Sequence, residues 1–176
     1  MNSSSVRDIA RHYLRDLIYG ANDGIITTFA VVAGVTGASL STTVILILGV
    51  SNLLADGFSM AASNFLSMRS DADVREDEGE ARDMDESPFK NGLATFLAFV
   101  ACGSVPLVAY VIPMSGDIRF PLTVVLTLLT LFAVGASRSF VTRRSWLRNG
   151  LEMLAVGALA AVVAFVLGAS VAGLTD

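Results

Sequence analysis

Four stretches of this chain contain no charged residue: Gly24 to Ala55, Asn91 to Gly116, Phe120 to Ser137 and Met153 to Thr175. A helix that crosses a bilayer needs about 20 predominantly apolar residues, or about 17 at the short end. The first stretch has to hold parts of two spans, and it is interrupted by the turn-like Ala38-Ser39-Leu40-Ser41. The pattern predicts five helices, at roughly 18–38, 42–68, 91–113, 119–138 and 150–173, in one transmembrane domain covering 1–176. The fold class is therefore all-α integral membrane protein. Only 16% of residues are charged, against about 25% in an ordinary soluble domain. The second helix is about 27 residues, or about 40 Å at 1.5 Å per residue. It is expected to project beyond a hydrocarbon core of about 30 Å.

The charges that do occur are sorted. Arg7, Arg11 and Arg15 precede the first helix. Arg69, Arg75, Arg82 and Lys90 lie between the second and third, and Arg138, Arg143, Arg144 and Arg148 between the fourth and fifth. The opposite side has only Arg119. Basic residues are retained on the cytoplasmic side, so the N-terminus is expected there and the C-terminus outside or in a lumen. Arg138, Arg143, Arg144 and Arg148 are expected to hold orientation and touch anionic lipid. Arginines interleaved with Asp8 and Asp16, and Asp23 in the apolar stretch that follows, do not form a cleavable signal. The first helix is expected to stay in the mature protein, in a bacterial inner membrane or an organellar or vacuolar membrane.

The second helix carries a polar ladder: Asn52, Asp56, Met60 and Asn64, each four residues from the last. Residues so spaced share one helical stripe. A carboxylate in hydrocarbon costs several kcal/mol unless it meets a partner, a wet cavity or an ion. Asp56 and Asn52 are open to two readings, a hydrogen-bonding pair that joins helices or part of a cation path. Asp23, in the first helix, is either an interfacial residue favoured by the helix dipole or a metal ligand and proton carrier. Thr27, Ala30 and Gly34 share its face, narrow and polar. Met60 alone is core filler; on this stripe it adds a thioether, which takes transition metals more readily than calcium or magnesium. Ser59, Ser63 and Asn64 offer further oxygen ligands, or bonds to backbone carbonyls.

Residues 69–90 form the one polar insert and hold nine of the chain's sixteen acids. Such a run is commonly a solvated, self-repelling segment, and it can also gather cations at the mouth of a path. Glu76, Glu80 and Asp83 would share a helical face there, as would Asp73 and Asp77, with Pro88 ending any helix. Gly103 and Pro106 are candidates to kink the third span. Small residues recur as Gly20-xxx-Gly24, Ala30-xxx-Gly34 and Gly34-xxx-Ala38, and Gly150 and Gly157 mark the fifth helix, a pattern that lets helices approach closely in lipid.

Other classes are disfavoured. Cys102 is single and forms no intrachain disulfide. His12 is the one histidine, which excludes a His-rich cluster or an HExxH zinc site. There is no nucleophile–base pair, so an enzyme is not expected. A net charge of −4 gives no reason to expect a nucleic-acid partner.

The chain resembles the vacuolar iron transporter family, including its bacterial and plant nodulin-like members. The carrying residues are Asp23-Gly24 with Thr28-Phe29-Ala30-Val31 and Gly34-Val35-Thr36-Gly37-Ala38, then Asn52-Leu53-Leu54-Ala55-Asp56 with Ser59-Met60-Ala61-Ala62 and Leu66-Ser67. Gly103 before Pro106-Leu107, and Leu147-Arg148-Asn149-Gly150-Leu151 with Gly157, continue the likeness. The resemblance implies a five-helix homodimer with the metal path at the subunit interface. It also implies exchange of Fe²⁺, and often Mn²⁺, for protons, moving metal out of the cytosol with no permanently bound cofactor. Asp23 and Met60 fall where the family places metal contacts in the membrane. Asn52 sits where some members have Glu and many have Asn. Two departures stand out. The insert is short, as in the nodulin-like branch, and Ser63-Asn64-Phe65 replaces the usual Gly-Glu-Tyr.

The reading is thus a divalent-metal transporter with Asp23, Asn52, Asp56 and Met60 along the path, and Asn64, Glu76, Glu80 and Asp83 as further cation contacts. The expected partners are a second copy, the bilayer and divalent metal ions. Two alternatives use the same residues differently: a transporter of another cation or a small solute, and a non-transporting adaptor whose acidic insert docks a basic partner.

Overall fold

In the computed structural model the described residues are 3–79, 87–139 and 145–175. Helix α1 spans Ser3–Gly37, α2 Thr42–Asp77 and α3 Pro88–Gly103. A single 3₁₀ turn, Val105–Leu107, leads to the short α4, Val108–Val111. Helices α5, Gly116–Ser137, and α6, Trp146–Thr175, complete the chain. Among the described residues, five stretches are long and apolar enough to cross a membrane, with α3, the 3₁₀ turn and α4 counted together as the third.

The break in the third span has a sequence cause. Proline lacks an N–H and clashes with the carbonyl four residues back, so the α-helix stops at Gly103 and restarts after Pro106. The hydroxyl of Thr123 donates to the carbonyl of Pro106 at 3.2 Å, tying the irregular turn to α5. Pro88 opens α3. Its fixed φ suits the first helical position, where the missing N–H is needed by nothing. The acidic helix ends earlier, at Asp77, followed by Gly79 at φ 78°. The observed α1 also begins well before residue 18, because charged residues at the membrane edge do not end a helix.

Four residues turn α1 into α2. Ser39 adopts φ 55°, and the amides of Ser39 and Leu40 bond back to the carbonyls of Thr36 and Val35 at 2.9 and 3.1 Å. This is the paired closure of a Schellman cap.

Helix α1 is the hub, packed most extensively on α3 and α6 and also on α2 and α5. Its fully buried Ile25, Thr28 and Val32 mark the inward face. The small residues flagged in the sequence meet other helices of this same chain. A Cβ at Gly20 or Gly24 would strike the α3 backbone at Thr95 or Phe99, and one at Gly168 would strike the backbone of Gly34. Outward-facing Leu97, Leu129, Leu159 and Leu167 are exposed, as expected where the surroundings are lipid.

Candidate functional site

The α1–α2 hairpin sets the site. Asp23 lies fourteen residues before the end of α1, and Asp56 fourteen residues after the start of α2. Equal arms of about 21 Å put the two carboxylates at one depth. They are close enough to interact electrostatically. Both are half-buried, as are Thr27, Ala30 and Gly34 on the α1 stripe, while Ile25, Phe29 and Ala33 are buried behind them. On α2 the ladder residues Asn52, Asp56, Met60 and Asn64 are likewise half-buried, beside a buried strip of Ile45, Gly49, Leu53 and Gly57.

The side-chain bonds divide this arrangement into two levels. At the inner level the Asn52 amide Nδ2 donates to Asp56 Oδ2 at 3.1 Å. The Thr27 hydroxyl donates to the carbonyl of Asp23 at 2.8 Å, which leaves the Asp23 carboxylate out of that bond. At the outer level Asn64 Nδ2 donates to Asp16 Oδ1 at 2.9 Å and to Thr95 Oγ1 at 2.8 Å. Thr95 passes its own proton to the carbonyl of Asn91 at 3.0 Å, and Asn91 Nδ2 reaches Met68 Sδ at 3.0 Å. A polar cleft of about 470 Å³ opens at this outer level, lined by Asp16, Met60, Asn64, Met68 and Asp71 with Ser59, Ser63 and Ser67. Met60 sits between the levels, packed against the core on one side and facing the cleft on the other.

Of the sequence-predicted residues, the fold brings Asp23, Asn52 and Asp56 together, with Met60 and Asn64 one and two turns outward. Glu76 is exposed near the end of α2. Glu80 and Asp83 lie outside the described residues. Sequence reasoning missed Asp16 and Met68. Met68 is the next rung of the ladder after Asn64. Asp16 precedes Asp23 by two turns and lies as far from the hairpin turn as Asn64 does, within one residue. Thr95 gives no sequence signal.

No group of three or more Asp, Glu, His or Cys close enough to hold a metal occurs among the described residues. The polar groups at the inner level are two carboxylates, Asp23 and Asp56, with the Asn52 amide bonded to the second.

The protein-family model of the VIT family matches residues 14–85 and 75–169. The chain belongs to the VIT family. The two matched segments overlap within the acidic insert. A vacuolar iron transporter of Toxoplasma gondii is 26% identical over 221 aligned positions, covering 89% of this chain and 73% of that protein. Vacuolar iron transporter 1 of Arabidopsis thaliana is 26% identical over 215 positions, covering 90% of this chain and 86% of the relative. Vacuolar iron transporter homolog 4 of the same plant is 28% identical over only 160 positions, covering 87% and 81%. The first two alignments exceed the 176 residues of this chain, so those relatives carry residues that it lacks. The homolog aligns over fewer positions than this chain has residues. With five spanning helices and this family membership, the chain is a multi-pass membrane protein.

Proposed function

We propose that this VIT-family protein transports divalent transition metal, Fe²⁺ or Mn²⁺, out of the cytosol in exchange for protons. The observation that carries the reading is the pairing of Asp23 with Asp56 at one depth of the membrane hairpin, on the stripe that also holds Met60. Two carboxylates near one another in a medium of low dielectric repel. A divalent cation or a proton relieves that repulsion, and the two compete for the same oxygens. Competition of this kind couples one flux to the other. Asn52 steadies Asp56 through one oxygen and leaves the second oxygen available. Met60 favours Fe²⁺ or Mn²⁺ over Mg²⁺ and Ca²⁺.

The outer cleft with Asp16, Asn64 and Asp71 receives ions from the cytoplasmic side, and the acidic insert raises their local concentration. A second copy supplies the opposite wall of the path. Support for this topology comes from the distribution of the basic residues, and support for the cargo comes from the relatives named as iron transporters.

The test is metal flux into proteoliposomes holding a pH-sensitive dye, comparing Fe²⁺, Mn²⁺, Zn²⁺ and Ca²⁺. Entry of Fe²⁺ or Mn²⁺ with opposite proton movement is expected, and Asp23→Asn should abolish it while leaving the protein folded. No flux of any of these metals through folded protein would reject the reading.

A further inference from the structure

We propose that a groove between α1 and α6, on the other side of Arg15 from the polar cleft, is a binding site for an anionic glycerophospholipid. The groove has a volume of about 650 Å³, within the range of about 300–1,000 Å³ usual for ligand clefts. Arg15 and Arg138 stand on it, and Leu14, Ile18, Met153 and Val156 form its apolar wall. Arg15 lies two residues into the first membrane stretch, and Arg138 directly follows the fourth. Both therefore sit at the depth of lipid phosphates, where arginine recognises an anionic oxygen pair through its planar fork. Glu152, on the rim, meets Arg148 at 3.0 Å.

Asn22 lies about two turns deeper than Arg15 and also lines the groove. Its Oδ1 is buried without a protein partner. The carboxamide also carries an NH₂ group. That is the donor an ester carbonyl of a glycerolipid needs. Cations at the surface, an amide below them and an apolar wall alongside follow the order of phosphate, ester and acyl chain in one lipid molecule. The groove shares Arg15 and Tyr19 with the polar cleft, so its occupant touches residues at the cytoplasmic mouth.

The test is native mass spectrometry of the full chain in neutral detergent with phosphatidylglycerol or with phosphatidylcholine of identical acyl chains. Retention of phosphatidylglycerol at one per protomer is expected, at least about tenfold above phosphatidylcholine, and millimolar inorganic phosphate should not displace it. The Arg15→Gln, Arg138→Gln double variant should lose about tenfold in retention, and Lys90→Gln, at the same end but off the groove, should lose none. Ile18→Trp, which fills the wall and keeps every charge, should also lose it. Equal retention by the double variant and Ile18→Trp would overturn the site. So would an equal loss on Lys90→Gln, which would mean diffuse attraction only, or displacement by phosphate. Disulfide-linked dimers of an Ile18→Cys variant in liposomes would assign the groove to a second copy and overturn it too.

Discussion

Asn52 and Asp56 are joined by a hydrogen bond of 3.1 Å within one turn of α2, so the amide fixes the orientation of a carboxylate within electrostatic reach of Asp23. Removing the amide leaves the charge in place and frees its geometry. Asn52→Ala is expected to raise the apparent KM for metal about three- to tenfold with a smaller change in maximal rate. Asp56→Asn should depress the rate itself by more than about tenfold. Initial rates in proteoliposomes across a range of metal concentrations separate the two. Identical profiles would remove Asn52 from the path.

Met60 can be replaced by a residue of nearly equal volume. Met60→Leu is expected to cost less than about 1.5 kcal/mol in stability, yet to reduce the preference for Fe²⁺ over Mg²⁺ by about tenfold. Flux measured in metal mixtures reads this directly, and an unchanged preference would leave Met60 as packing alone.

Arg119 spans three elements. Its guanidinium donates to Thr42 Oγ1 at 3.1 Å and to the carbonyl of Met114 at 3.0 Å, linking the starts of α2 and α5 to the connection before α5. Arg119→Ala should destabilise the protein by about 2 kcal/mol, seen as a lower unfolding temperature in detergent. Arg119→Lys should recover only part of that loss, because a point charge cannot satisfy both acceptors as the fork does. Full recovery by lysine would show that charge, not geometry, matters here.

Gly24 has no room for a side chain where α1 crosses α3 at Phe99. Gly24→Val is expected to cost about 3 kcal/mol by forcing the crossing apart. Size-exclusion profiles after extraction should show little monodisperse protein. A well-behaved Gly24→Val variant would mean that the crossing can widen freely.

The equal arms of the first hairpin give a further test. One alanine inserted after Leu46 rotates Asp56 by about 100° and moves it about 1.5 Å, which should end transport while the protein still enters the membrane. One alanine inserted after Ser39, in the turn, keeps both helical faces and should retain most activity. Equal effects at both places would refute the idea that arm length sets the site.

Much of this arrangement could be read from the residues. Uncharged runs delimit the spans because burying a charge in lipid is costly, and Pro106 announced the break in the third. The ladder on α2 was visible because a helical stripe is a local pattern. The Asn64–Asp16 and Asn64–Thr95 bonds were not, since they join residues 48 and 31 positions apart through helix packing that periodicity does not encode. Pro88 was read only as a stop for what precedes it; that it opens α3 follows from its fixed φ, which suits the first helical position. Gly20 and Gly24 were recognised as close-approach positions, although nothing in the sequence says whether the approaching helix is internal or belongs to another molecule.

The four-residue turn closed at Ser39 bears on how the protein is made. Both arms that carry Asp23 and Asp56 are synthesised consecutively and leave the ribosome as neighbours. The acids therefore enter the bilayer as a matched pair within one reversing segment, before α3 to α6 exist. The difficulty of admitting two carboxylates to lipid is met at the start of biogenesis by a hairpin that shelters each with the other's helix, and the later helices close around a site that is already drawn.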